Sequence, residues 1–115
     1  QAATRMVELT NTFPEATGVL RRALNQAARE LLLAQSSDRA LIMKTGTVVP
    51  YAVRRTQGHI GNFIGLYEQI TGNRIDQRWL MELEAKNNIF PDLDYRIYSS
   101  SDQTKRQVEN LALAL

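Results

Sequence analysis

The sequence predicts a mainly α (α+β) fold: a long N-terminal helix packed with three or four further helices, plus a small β component. Two patterns of helical period and one of period two carry that expectation. Apolar residues recur three or four apart through residues 14–35 and again through 50–72, the spacing of one face of an α-helix. From Leu93 to Ser99 the period falls to two, which predicts a strand. At 115 residues, 43% hydrophobic and 23% charged, the chain has the size and composition of a single domain, residues 1–115, with its own core.

Residues 2–9 form a short helix, or the start of one that Pro14 interrupts. Pro14 suits a first helical turn, Glu15 complements the N-terminal end of the helix dipole, and Thr12 offers a cap. The long helix is therefore expected over residues 14–35, with a stripe of Ala16, Leu20, Ala23, Leu24, Ala27 and Leu31. Arg21, Arg22, Gln26 and Arg29 fall mainly outside that stripe. "SSD" at 36–38 predicts a turn, and "RALIMK" at 39–44 is helix or strand. "TVV" at 47–49, β-branched and ahead of Pro50, predicts extended chain.

From Pro50 the pattern is helical again, with Val53, Ile60, Phe63, Ile64, Tyr67 and Ile70 on one face, a bend expected near Gly58, and Gly72 at the C-terminal end. Residues 73–88 hold a further helix with Asp76 near its start and Ile75, Trp79, Leu80 and Leu83 as contacts. After the expected strand, Ser101 or Asp102 caps a last helix carrying Val108, Leu111 and Leu115 on one side. That side either makes a homodimer or docks on its own core.

Net charge is only +2, but residues 1–58 hold eight Lys/Arg against four Asp/Glu, and residues 59–115 six against eight. Eleven of the fourteen basic residues are arginine, which suits an anionic partner or a solvated mixed surface. The chain has no cysteine, which excludes disulfides, a thiolate nucleophile and covalently attached haem. It starts at Gln1 and ends in "LALAL", which predicts a fragment or processed part of a longer chain.

Gly58, Gly61 and Gly65 stand inside one helical pattern, each costing about 0.5–1 kcal/mol relative to alanine. Gly61 and Gly65 form a GxxxG, which predicts a helix crossing at short range. "GHIG" at 58–61 matches the KH-type backbone clamp, but His59 and Ile60 are not basic and the preceding strand is missing. His59, the sole histidine, is expected on an exposed helix surface. Glu82 and Glu84 are two apart and make no dyad. Asp92, Asp94 and Asp102 belong to surface turns, without the ligand order of an EF-hand. No residue set for covalent attack, water activation or phosphoryl transfer is present, so no enzyme activity, cofactor or metal is expected.

"VVPYAVRR" at 48–55 and "FPDLDYRIYSSSDQTKRQVENL" at 90–111, after a long first helix, resemble in layout the extracytoplasmic sensor domains of bacterial signalling proteins. The resemblance implies a ligand pocket lined by Tyr51, Arg55, Tyr95 and Arg96. An arginine beside a tyrosine would hold a carboxylate there by a charge-assisted hydrogen bond. It also implies neighbouring membrane spans and a periplasmic or extracytoplasmic location. The expected function is thus a noncatalytic sensory or interaction module with a small ligand or protein partner. The alternative is a cytoplasmic helical DNA-binding module contacting phosphates through Arg54, Arg55, Arg74 and Arg78.

Overall fold

Among the described residues the architecture consists of α1 (Ala2–Thr12), α2 (Gly18–Met43), α3 (Pro50–Thr71), α4 (Gln77–Lys86) and a short 3-10 turn Tyr95–Tyr98, and residues 108–111, 113 and 114 are helical as well. The computed structural model describes residues 1–43, 50–99, 108–111, 113 and 114, with backbone alone for 38–43 and 50–52. The fold is mainly helical, as the periodicities predict. The extended segment expected at 47–49 and the caps Ser101 and Asp102 lie outside the described residues.

The central element is α2. Every side chain from Gln26 to Ala34 is buried, so this stretch is enclosed on all sides rather than along one stripe. The small Ala23, Ala27 and Ala28, all 0% exposed, let neighbours approach closely. The main packing partner is α3, which supplies Phe63, Leu66 and Ile70; α1 adds Met6 and Leu9, and α4 adds Leu80 and Leu83. Leu66, fully buried, was not in the predicted α3 stripe, whereas Ile64, which was, is 37% exposed. Val108 joins the core and Leu111 packs against it, whereas Leu115 lies outside the described residues.

Three expectations about local structure change. The long helix begins at Gly18 and not near Pro14. The Tyr95 hydroxyl donates to the Phe13 carbonyl and accepts from the Ala16 amide at 3.0 Å, which holds residues 13–16 in a turn. Gly18 then takes a φ of 62°, open to glycine at little cost. At its other end α2 continues through "SSD" to Met43, because Gln35, Ser36 and Ser37 are partly covered and packing overrides their preference for turns.

The third change concerns 93–99. Tyr95–Tyr98 form a 3-10 turn, and among the described residues there is no strand for it to pair with. The Asp94 side chain accepts from the Arg96 amide at 2.9 Å, a local bond that competes with extended chain. With three residues per turn, Tyr95 and Tyr98 both face inward, at 0% and 4% exposure. Leu93 is buried as well, so the inward residues Leu93, Tyr95 and Tyr98 are spaced two and then three apart, and the period of two ends at Tyr95 where the 3-10 turn begins.

Of the three interior glycines, one is required by packing. A Cβ on Gly65 would lie 2.7 Å from the Trp79 ring, so Gly65 leaves room for the indole carried by α4 to lie against α3. Gly58 and Gly61 would meet nothing within 4 Å.

Candidate functional site: a buried carboxylate beneath a polar cleft

Glu30 lies in the middle of α2 with its side chain 0% exposed. Its Oε1 accepts from His59 Nδ1 at 2.9 Å, Asn62 Nδ2 at 3.0 Å and Asn87 Nδ2 at 3.1 Å. Its Oε2 accepts from Gln26 Nε2 at 2.8 Å and Asn87 Nδ2 at 3.0 Å. Burial alone pushes the Glu30 carboxyl up, but the donors from His59, Asn62, Gln26 and Asn87 together outweigh it and hold the group below the ordinary carboxylate range. The carboxylate is therefore ionised, and His59 carries its proton on Nδ1.

Arg29 completes the cluster. Its guanidinium donates to Gln26 Oε1 at 3.1 Å and to the carbonyls of Ile89 at 3.0 Å, Phe90 at 3.3 Å and Pro91 at 2.9 Å. Burial lowers its pKa, opposed by Glu84 and Glu30. Phe90 has a φ of 45°, rare for a bulky residue, and that conformation turns successive carbonyls toward Arg29. Gln26 also donates to the Leu83 carbonyl at 3.3 Å and the Asn87 carbonyl at 3.0 Å. One buried charge pair, linked through one amide, thus ties α2 to α3, α4 and the loop after α4.

Above this cluster Arg54, Arg55, Gly58, His59, Asn62, Lys86 and Asn87 line a cleft of about 520 Å³ between α3 and the end of α4. Three of the lining side chains, His59, Asn62 and Asn87, are those held by Glu30. The carboxylate is sealed beneath the cleft and does not face it. Its chemical effect is to fix the floor, since every donor it binds loses rotational freedom.

The residues nominated from the sequence do not gather in one pocket. Arg55 lines the cleft, whereas Tyr95 is fully buried between α1 and α2, with its amide on Asn25 Oδ1 at 2.9 Å. Arg96 is exposed and bonded to Asp94, with Nη2 at 2.7 Å. The side chain of Tyr51 lies outside those described, although its backbone is in α3. Arg54 and Arg55 stand near the start of α3 and Arg74 follows its end, about 30 Å away at 1.5 Å per residue. With Arg78 in α4, these arginines make no contiguous phosphate-binding face.

His59, expected on the surface, is 9% exposed and buried against Glu30. Asp94, expected in a surface turn, binds Arg21 at 3.4 Å as well as Arg96. Arginine hydrogen bonding is the largest influence holding its carboxyl below the usual range. Glu30, Gln26, Arg29, Asn62 and Asn87 were not nominated at all. A signal existed: "AARELLLA" at 27–34 places one carboxylate inside an apolar run, where a charge persists only with partners.

Comparison with known proteins overturns the sensor resemblance. The family described as 1,4-alpha-glucan branching enzyme, C-terminal, matches residues 1–98. A 1,4-alpha-glucan branching enzyme of Thermococcus kodakarensis is 32% identical over 94 residues, covering 78% of this chain. The crystal structure of the alpha-amylase AmyC from Thermotoga maritima superposes with a TM-score of 0.77 at 42% identity over 87% of the chain. The chain spans 14% of the first relative's length and 20% of the second's. Neither is a sensor, a signalling protein or a DNA-binding protein, and both are enzymes, so the expected noncatalytic sensory module, its DNA-binding alternative and the absence of an enzyme connection are all corrected. The match spans all the residues of the Glu30 cluster and the cleft, and the chain belongs to the 1,4-alpha-glucan branching enzyme C-terminal family.

Proposed function

We propose that the protein carrying this chain acts on a 1,4-alpha-glucan, and that the chain is its C-terminal helical part, contributing a rigid polar face to that enzyme. The observation that carries this reading is the family match over residues 1–98, which contains the cluster and the cleft together. Hydrolysis or transfer at a glycosidic bond generally employs two carboxylates facing the bond, one of them able to give up a proton. Glu30 is ionised, 0% exposed and bonded on both oxygens. It serves structure, and in this reading the reacting carboxylates belong to the remainder of the enzyme.

Two activities fit such an enzyme, and the 42% identity to an alpha-amylase favours keeping hydrolysis as the second. Branching moves a cleaved segment onto another glucan, so branch points appear while the number of reducing ends stays constant. Hydrolysis releases one reducing end for each bond cut and makes no branch. The full-length protein incubated with linear amylose distinguishes them by the anomeric proton signal of α-1,6 links and a reducing-end assay. New branch points at constant reducing ends are the expected result. Amylose left unchanged in both assays sinks the reading.

A further inference from the structure

We propose that the cleft between α3 and α4 is a glucan-binding subsite whose floor accepts hydrogen bonds from sugar hydroxyls through Asn62 and Asn87 and whose rim donates to them through Arg54 and Lys86. The inference rests on the glucan reading above for the choice of ligand, while the geometry sets the kind of ligand. At about 520 Å³ the cleft lies within the range of small-molecule sites.

The floor is polarised by what lies beneath it. Glu30 takes the Nδ2 groups of Asn62 and Asn87, so each planar amide keeps its oxygen, an acceptor, on the branch away from the carboxylate. His59 spends its Nδ1 proton on Glu30 in the same way. The rim brings the opposite kind of group, since Arg54 and Lys86 only donate. Donors and acceptors thus face one space. A phosphate needs donors alone and is repelled by amide oxygens, whereas each sugar hydroxyl both donates and accepts. Because the amides are already held by a buried carboxylate, little orientational freedom is lost when a ligand arrives.

Gly58 fits the same picture. It lines the cleft, is exposed, and would place a Cβ in open space. At this helical position glycine costs about 1 kcal/mol against a better helix former, and its effect is to keep the cleft unfilled. Gly61 lies one turn on, is also exposed with open space around it, and is not among the cleft residues.

The test uses maltoheptaose titrated into the full-length protein, followed by the ring proton resonances of His59, identified by their loss in His59→Gln. Gly58→Leu extends a side chain into the cleft while raising helix propensity, and Gly61→Leu makes the same change outside it. Saturable shifts of His59 are expected, with affinity weakened at least about tenfold by Gly58→Leu and unchanged by Gly61→Leu, both variants keeping their helical circular dichroism. Replacing Arg54 and Lys86 together by alanine should weaken binding as well. Silence of His59 toward maltoheptaose, equal binding by Gly58→Leu, or a response to inorganic phosphate in place of the sugar each overturns the subsite. The amylose assay on the full-length protein is read separately, so loss of the subsite leaves the glucan reading standing, and an inactive enzyme leaves the maltoheptaose result intact.

Discussion

The Glu30 cluster and the Tyr95 corner both bury polar atoms against α2, yet the first carries formal charge and the second is neutral. Glu30 draws donors from α3, from the residue after α4 and from its own helix, with Arg29 as a nearby cation. Tyr95 is satisfied by Phe13, Ala16 and Asn25, with Thr10 as a longer donor to its carbonyl at 3.4 Å. A buried charge must be surrounded because its desolvation is far larger than that of a hydroxyl or amide. The charged cluster therefore surrounds one side chain with five hydrogen bonds, while the Tyr95 hydroxyl makes two, both to the turn at 13–16.

The largest expected effect comes from removing the charge and leaving its donors. Glu30→Ala takes the shared acceptor from His59, Asn62, Asn87 and Gln26 and leaves Arg29 without its nearby buried anion, and should cost about 3–5 kcal/mol in urea unfolding. A loss below about 1 kcal/mol would show the cluster to be no more demanding than the corner. Acid gives the same comparison without a cavity. The folded Glu30 carboxyl lies below its ordinary 4.5, so its stabilisation is complete above that value and is lost as pH falls through the depressed folded value. Glu30→Gln should remove this part of the acid limb, whereas Tyr95→Phe should retain it; identical acid limbs in wild type and Glu30→Gln would assign the limb to other groups.

Tyr95→Phe deprives the Ala16 amide and the Phe13 carbonyl of their shared partner and should cost about 1–3 kcal/mol, with the change in amide exchange confined to residues 13–17. Spread of that change to α4 would contradict the separation of the two clusters. Next comes the packing that holds α4 without the charge. Gly65→Ala puts a methyl 2.7 Å from the Trp79 ring, and overpacking of about 1–3 kcal/mol outweighs the gain in helix propensity. Emission from Trp79, the sole tryptophan, should shift with it. Smallest and opposite in sign, Gly61→Ala should add about 0.5–1 kcal/mol, because nothing lies near the new methyl.

The helices were legible because their patterning is local. Ala23, Leu24, Ala27 and Leu31 repeat at helical spacing and are buried, and Asp76 is the N-cap of α4, accepting from the Trp79 amide at 3.0 Å. What escaped depends on residues distant in sequence. Gln26 and Arg29 look like the solvated side of an amphipathic helix until Asn87 and residues 89–91 arrive to cover them. Pro14 carries a helix-start signal, but the Tyr95 phenol, 79 residues beyond the Ala16 amide it binds, decides the conformation there. The site was missed for the same reason: its floor is assembled from α2, α3 and the end of α4, and no short motif records that meeting.

The burial of α2 from Gln26 through Ala34 bears on the order in which the molecule comes apart. A segment with no solvent-facing side cannot fray, and its amide protons exchange with deuterium only when the structure around it opens. Those nine amides are therefore expected to exchange most slowly among the described residues, with a protection that reports opening of the helices packed around them.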